Sequence, residues 1–274
     1  MKVQRIGIVT YIGENEERER DCQNLATRIC AWLEKKEIQF VVGVEDIKHS
    51  PKPDLICILG GDGTFIWAVR ELLYLGVPFL GVNFGTKGFL LPFTPTEVLG
   101  YLEKLIAGHN PETEERTVIE AWVVHAGKRR GPFVCVNEVV VKSDYQLVHL
   151  EVREGDRVKI QPQADGVIVA TPTGSTAYSF NAGGIPLSWD SPCFAVTAVA
   201  CANRVDSKCL VDAGKIITVK VLWGQPAFIP DGIGEEKTLL TEGDLIEVRA
   251  HTQTFQTLTP DGFNSYERMR KLLS

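Results

Sequence analysis

Asp62 stands inside a run of glycines, Gly60-Gly61-Asp62-Gly63-Thr64. Glycines let a backbone approach a ligand closely. The N–H groups of a turn that opens a helix attract phosphate. A carboxylate repels phosphate, so Asp62 needs a hydroxyl to deprotonate, a ribose to hold or a metal to bind; otherwise it caps the following helix. A second glycine loop, Asn83-Phe84-Gly85-Thr86-Lys87-Gly88, offers Lys87 as a flexible point charge, for phosphate or for solvent. The pair Asn137-Glu138 interrupts the apolar run Val134–Val141. Such a pair is costly unless it is partnered or used. It can grip ribose hydroxyls or a base edge, or turn one side chain outward at a bulge. The densest stretch is Asp165-Gly166 followed by Thr171-Pro172-Thr173-Gly174-Ser175-Thr176-Ala177-Tyr178-Ser179. Its hydroxyls, free N–H groups and single ring suit an adenosine, sugar or phosphate. Asn181-Ala182-Gly183-Gly184 adds a further turn.

These stretches need elements to carry them. Residues 5–10 and 38–44, the apolar run Leu55–Leu59 and residues 77–82 read as buried strands. Between the first two, Cys22, Leu25, Ala26, Ile29, Trp32 and Leu33 recur at helical spacing; a second helix is expected over 65–75, ended by Gly76. Residues 11–18 read as a polar, mobile segment, and 48–53, with two prolines, as a loop. Alternating strands and helices predict a parallel sheet, whose ligands sit beyond the carboxyl ends of the strands. Gly60–Thr64 and Asn83–Gly88 occupy that position. After a helix near 96–107, short strands dominate (118–124, 134–141, 147–152, 157–161, 167–171, 195–200, 216–221), predicting a β-rich, sandwich-like domain. A short terminal helix around Tyr266–Leu273 needs a surface to pack on.

Composition narrows the class. The 274 residues are 44% hydrophobic, enough for one large or two modest cores. A formal charge of -6 with no basic block argues against a nucleic-acid surface. The seven cysteines form no CxxC pair and read as reduced, buried residues of a cytoplasmic protein. The chain enters a strand almost at once, which predicts no signal peptide, and no run of about eighteen apolar residues suggests a membrane span. The five histidines lack ligand spacing, so no protein metal site is expected. Ser175 has no GxSxG context, and no Walker A or Rossmann glycine pattern occurs.

Taken in order, these stretches resemble the NAD kinase family. The likeness runs through Gly60–Thr64, Val82–Phe89, Asn137-Glu138, Asp165–Tyr178, Asp231-Gly232, Gly243-Asp244 and the terminal segment. GGDGT is shared with diacylglycerol and sphingosine-type lipid kinases; TPTGSTAYS after a D-G strand is more specific. The resemblance implies phosphorylation of the adenosine ribose 2′-hydroxyl of NAD to give NADP, with ATP as donor and Mg2+ or another divalent cation required. It implies an α/β catalytic and phosphate-donor domain over 1–98 plus 255–274, a β-rich dinucleotide-binding domain over 99–254, and an active site between them. It also implies a homodimer or homotetramer, with nucleotides as ligands and neither nucleic acid nor membrane as partner.

The roles implied are specific. Asp62 matches the base for the 2′-hydroxyl, and Gly60, Gly61, Gly63 and Thr64 match the phosphate-side turn. Asn83, Lys87 and Phe89 belong to the second loop, with the Phe89 ring packing near the dinucleotide. Asn137 and Glu138 match the pair that holds hydroxyls and adenine; Thr176, Ala177 and Tyr178 match the adenine loop, with Thr173, Ser175 and Asn181 beside them. Asp165 matches a carboxylate reaching the nicotinamide side. Several positions depart from the family pattern: Thr86, Lys87, Asn181, the order Ile185-Pro186, residues 202–209 and Ile233. Another nucleoside, nucleotide or lipid hydroxyl as acceptor is the alternative that these departures leave open, and a nucleotide-binding regulator without turnover is the third.

Overall fold

A computed structural model describes residues 3–85 and 88–273. The chain runs β1 (Arg5–Thr10), α1 (Glu16–Lys35), β2 (Gln39–Val42), α2 (Val44–His49), β3 (Leu55–Gly60), α3 (Asp62–Leu72), β4 (Phe79–Asn83), α4 (Val98–Ile106) and β5 (Glu112–Arg116). Strands then take over: β6 (Ile119–His125), β7 (Lys128–Cys135), β8 (Glu138–Lys142), β9 (Val148–Glu154), β10 (Arg157–Ile160), β11 (Gln163–Ala164) and β12 (Gly166–Ala170). A short helix, α5 (Tyr178–Asn181), precedes β13 (Cys193–Val199), β14 (Lys208–Asp212), β15 (Ile217–Trp223), β16 (Ala227–Pro230), β17 (Thr238–Leu239) and β18 (Leu245–Ala250). The chain closes with β19 (Phe255–Thr259) and α6 (Ser265–Leu273).

Two compact units result. One holds residues 1–115 together with 255–274, the other residues 116–254. The break in compactness therefore follows Glu115, where the sequence suggested residue 98. The reason is α4, whose Val98, Tyr101, Leu102 and Leu105 are buried in the core that also holds α1.

In the first unit the strand order is β2-β1-β3-β4-β19-β5. The β1/β2, β1/β3, β3/β4 and β4/β19 pairs are all parallel. Alternation along β3 serves both faces. Leu55, Cys57 and Leu59 join the core beneath α1 and α4. Ile56 and Ile58 are equally buried and point the other way. On the α3 side, Phe65, Phe79 and Phe255 meet with ring centroids 6.1 to 6.2 Å apart. The sheet reverses direction of travel at β1/β3: the chain leaves β1 outward to β2 and returns to β3 on the inner side. That switch point is where ligands sit in open α/β sheets.

The second unit is a sandwich of two sheets, β10-β9-β15-β18-β6-β7 with β11 beside β9, and β14-β13-β12-β8-β16-β17. Their inner faces share one core, from Val123, Leu150 and Val219 on one side to Val141, Val169 and Phe194 on the other. The outer face of β8 and β12 buries a second cluster, Val140, Ile168, Ala170, Leu187 and Ala195. The expected α/β sheet followed by a β-rich unit is thus observed, with the last segment back in the first unit.

Local readings differ at four points. The stretch 134–141, read as one strand, is two strands in different sheets, broken at Val136-Asn137. Part of the 48–53 loop is the end of α2, and α3 begins at Asp62 itself, three residues earlier than its apolar pattern. Residues 11–18, expected to be polar and mobile, include the N-cap Asn15, whose side chain accepts from the Arg18 N–H, and the first turn of α1.

Phe255 joins the returning strand to α3 and β4. Phe255→Ala is expected to lower stability by about 3–5 kcal/mol, read from the midpoint of urea unfolding followed by far-UV dichroism.

Candidate functional site

The candidate residues fall into two groups, one in each unit. In the first, β3 and β4 are neighbours in register, with Gly60 opposite Asn83. Their glycine loops therefore emerge side by side, tied by Phe84 N–H donating to Gly60 O at 2.7 Å. The second loop closes on itself: Asn83 N–H donates to Phe93 O at 2.9 Å, and Phe93 N–H to Gly81 O at 3.1 Å. Within this loop Phe89 and Leu90 turn their amides onto Asp62, Phe89 N–H reaching Oδ2 at 3.1 Å and Leu90 N–H reaching Oδ1 at 2.8 Å. Asp62 is accordingly no helix cap. The N-cap of α3 is Gly61, without a side-chain cap bond. The orphan N–H groups of that first turn are left for a ligand.

A cavity of ≈ 330 Å³ opens here, lined by Tyr11, Arg18, Gly61, Asp62, Gly63, Thr64, Gly85 and Gly88. The glycines divide by purpose. A Cβ on Gly60 would lie 2.6 Å from Thr64 Oγ1, and one on Gly88 would strike the Asn83 amide. A Cβ on Gly63 meets nothing within 4 Å, and one on Gly61 only Arg18 Nη1 at 4.0 Å. The extended φ of -117° at Gly61 suits any residue. Neither of these two glycines is demanded by the protein's own packing; both keep the cavity floor bare. Arg18, stacked 5.5 Å over Tyr11, brings a cation to the same space.

In the second unit, Asn137 and Glu138 sit where the chain passes from one sheet to the other. Asp231 holds that passage. Its Oδ2 accepts Val136 N–H at 2.6 Å, and its Oδ1 accepts Asn137 N–H at 2.8 Å and Glu138 N–H at 3.0 Å. Thr171 adds a clasp: its hydroxyl donates to Val136 O at 2.7 Å and accepts Gly174 N–H at 2.9 Å. Gly174 packs so closely on Asn137 that any Cβ would collide with the Asn137 backbone. The loop 171–177 is therefore pressed onto Asn137-Glu138.

Glu138 is 6% exposed, and its Oε2 has no hydrogen-bond partner. Burial, then the nearby Asp231 charge, raises its carboxyl from 4.5 to about 8. Thr173 Oγ1 is a second buried polar atom without a partner. Unsatisfied groups of this kind cost free energy in the isolated fold and are the ones a polar ligand would use. Ser175 differs: its hydroxyl donates to Pro172 O at 2.7 Å and accepts Leu187 N–H at 2.8 Å, so it locks the loop. Thr176 Oγ1 likewise turns inward to Thr173 O at 3.2 Å. Tyr178 packs on the outer cluster of β8 and β12. Lys142, ion-paired with Asp144 at 3.0 Å, has Tyr178 and Asp165 as further electrostatic neighbours. Asn181 is exposed at the end of α5.

Comparison with known proteins follows this geometry. The family model described as ATP-NAD kinase N-terminal domain matches residues 34–110, and that described as ATP-NAD kinase C-terminal domain matches residues 136–259. The NAD kinase of Symbiobacterium thermophilum is 36% identical over 226 residues, 81% of this chain and 78% of the relative. This chain belongs to the NAD kinase family. Another family member, the NAD kinase of Heliobacterium modesticaldum, is 35% identical over 68% of this chain and 70% of its own. Among solved structures, yeast NADH kinase complexed with NADH superposes with a TM-score of 0.83 at 22% identity, covering 99% of this chain and 87% of that one. An Archaeoglobus fulgidus NAD kinase in complex with ATP gives 0.74 at 21% identity, over 98% and 96%. At these identities the two structures establish the NAD kinase fold.

Set beside the family expectation, the structure brings Gly60, Gly61, Asp62, Gly63, Thr64, Asn83 and Phe89 together in the first unit. It brings Asn137, Glu138, Thr173, Ser175, Thr176, Ala177 and Tyr178 together in the second. Phe89 meets Asp62 through its amide, where its ring drew attention in the sequence. Thr86 and Lys87 lie outside the described residues. Sequence reasoning passed over Arg18 and Tyr11, the clamp made by Asp231, and Lys142. The position of Arg18 just after the first strand of a parallel sheet was the available signal for it; Asp231-Gly232 was visible only as a family likeness.

Two predictions follow from the chemistry of these groups. Gly63→Ala is expected to keep or slightly raise the unfolding midpoint, since a helical Ala is favoured over Gly by up to about 1 kcal/mol. It is expected to weaken ATP binding several-fold, measured by calorimetric titration. Glu138 holds a proton in the folded state between 4.5 and about 8, where the unfolded chain has released it. Stability contributed by that proton is thus lost as pH rises through this window. Glu138→Gln keeps a neutral side chain throughout, so its urea midpoint is expected to gain on the wild type from pH 5 to pH 8.

Proposed function

We propose that this protein is an ATP-dependent NAD kinase that transfers the γ-phosphoryl group of ATP to the adenosine ribose 2′-hydroxyl of NAD, giving NADP. One observation carries the reading: a carboxylate, Asp62, fixed by two backbone N–H groups at the rim of a glycine-floored cavity. Backbone N–H groups suffice to hold phosphates; a fixed carboxylate beside them adds a group that can take the proton of a hydroxyl. Family membership supplies the two substrates.

In this reading the first unit holds the phosphates and the second the dinucleotide. Gly61, Gly63 and Thr64 present backbone N–H groups to phosphate oxygens, with Arg18 adding charge, and Gly60 closes the turn beneath them against Thr64. Asn137 and Glu138 take the ribose hydroxyls and an adenine edge. Glu138, which stays protonated at neutral pH, can donate as well as accept. Tyr178 packs against the base, with Thr173, Thr176, Ala177 and Asn181 around it, and Asp165 serves the nicotinamide side. As the 2′-oxygen bonds to the γ-phosphorus, the bond from that phosphorus to the bridging oxygen of ADP breaks. The hydroxyl proton passes to an Asp62 oxygen.

Among the described residues, no group of three or more His, Cys, Asp or Glu side chains could hold a metal ion. Asp62 is the carboxylate that lines the cavity. That donor set fits Mg2+ carried in on nucleotide phosphates, with Asp62 as a side-chain contact, since Mg2+ commonly keeps its waters and binds through phosphates and one or two carboxylates. When bound, the cation would neutralise charge on the phosphate oxygens. The reading also carries a homodimer or homotetramer working in the cytoplasm; no helix among the described residues is long and apolar enough to cross a membrane.

Incubation of the purified protein with ATP, magnesium and, in parallel, NAD, NADH, nucleosides and diacylglycerol tests the proposal. NADP is the expected product. Phosphorylation of another acceptor alone, or nucleotide binding without turnover, overturns it. Asp62→Asn is expected to cut turnover by roughly 100-fold or more while nucleotide affinity stays nearly intact; an unchanged turnover number removes Asp62 as base.

A further inference from the structure

Arg268 on α6 donates through Nη2 to Gly88 O and, at 2.9 Å, to Leu91 O. Between those two carbonyls lie the Phe89 and Leu90 amides that hold Asp62. The C=O of Gly88 and the N–H of Phe89 belong to one peptide group and point in opposite directions. That peptide is therefore pinned at both ends, by a guanidinium on one side and by the Asp62 carboxylate on the other.

We propose that Arg268 is a positioning residue for the phosphoryl-transfer base, fixing the Gly88–Phe89 peptide so that its N–H, and not its C=O, faces Asp62. This rests on the function proposed above for Asp62. Three observations favour it over a purely structural anchor. Gly88 has φ +60° and no side chain, so its ψ, one of the two torsions that turn the Gly88–Phe89 peptide, is less restricted than at other residues. A flip would turn a carbonyl oxygen onto a carboxylate. Arg268 makes no ion pair with a carboxylate among the described residues; its guanidinium is half-buried and its Nε has no partner, and burial works against its charge while the nearby Asp62 carboxylate, then Glu114, favours it. Finally, the turn that leads into α6 is held in place. Tyr101 OH donates to Thr259 O at 3.0 Å, and Lys104 and His109 hold Asp261 at 2.8 and 2.9 Å. Arg268 lies beyond residue 259, where the matched C-terminal family segment ends.

Arg268→Met keeps the length and removes the donors; Arg268→Lys keeps charge and donors on a different head. In Arg268→Met, turnover of NAD to NADP is expected to fall about 10- to 100-fold, with KM for ATP and NAD moving less than about 3-fold. Arg268→Lys is expected to recover part of that loss. In an Asp62→Asn background the Arg268→Met loss is expected to vanish, because the two residues act as one unit. The Phe89 and Leu90 amide resonances, followed by NMR, are expected to move in Arg268→Met as they do in Asp62→Asn. Unmoved amides, or an equal turnover loss in both backgrounds, would overturn the proposal. A wild-type protein that makes no NADP would instead remove the functional reading, while the amide resonances still decide whether Arg268 holds the peptide.

Discussion

Two amides on one carboxylate organise the glycine-loop end of the first unit. Phe89 and Leu90 give their N–H groups to Asp62, and almost every other feature of the first unit serves that contact. Adjacent parallel strands bring the two glycine loops out at the same level. The second loop is closed at its base on β4, so its amides cannot drift from the first. Gly88 lets the backbone turn against Asn83 where a side chain would not fit. Two N–H donors soften the charge of the Asp62 carboxylate and fix its direction.

The second unit solves a different problem with similar means. Its polar pair lies at a change of sheet, where ladder bonding lapses and backbone N–H groups would go unpartnered. Asp231 accepts three of them. The loop that follows β12 is then stapled over the pair by Thr171, Ser175 and the close approach of Gly174. Two buried side-chain oxygens without a hydrogen bond, Glu138 Oε2 and Thr173 Oγ1, belong to the same small region. Here the fold satisfies its own backbone first and leaves selected side-chain atoms unmet, which is how a preorganised polar site is distinguished from poor packing.

Much of this was legible in the sequence because it is local. Strand, turn and helix periodicities exposed the parallel sheet, and the glycine runs marked its carboxyl end. The polar pair inside an apolar run was flagged correctly as costly. Its resolution was not legible: Val134–Val141 has the pattern of one strand, and only pairing partners distant in the chain divide it between two sheets. What Asp231 and Arg268 hold was hidden for the same reason. Each acts across a sequence separation that no period or spacing encodes. Ser175 shows the converse, a hydroxyl in a suggestive loop whose donor and acceptor are both consumed by the loop itself.

The return of the chain to its first unit also constrains how the protein is made. During synthesis from the N-terminus, domains ordinarily fold as they emerge. Here β19 lies between β4 and β5, so the central sheet of the first unit stays incomplete until after the whole second unit has been translated. The Phe65–Phe79–Phe255 cluster closes equally late, and Arg268 later still. A nascent chain thus carries the glycine turn and its aspartate long before the surroundings that orient them exist. The surroundings that orient Asp62 are thus completed only after the second unit has been made.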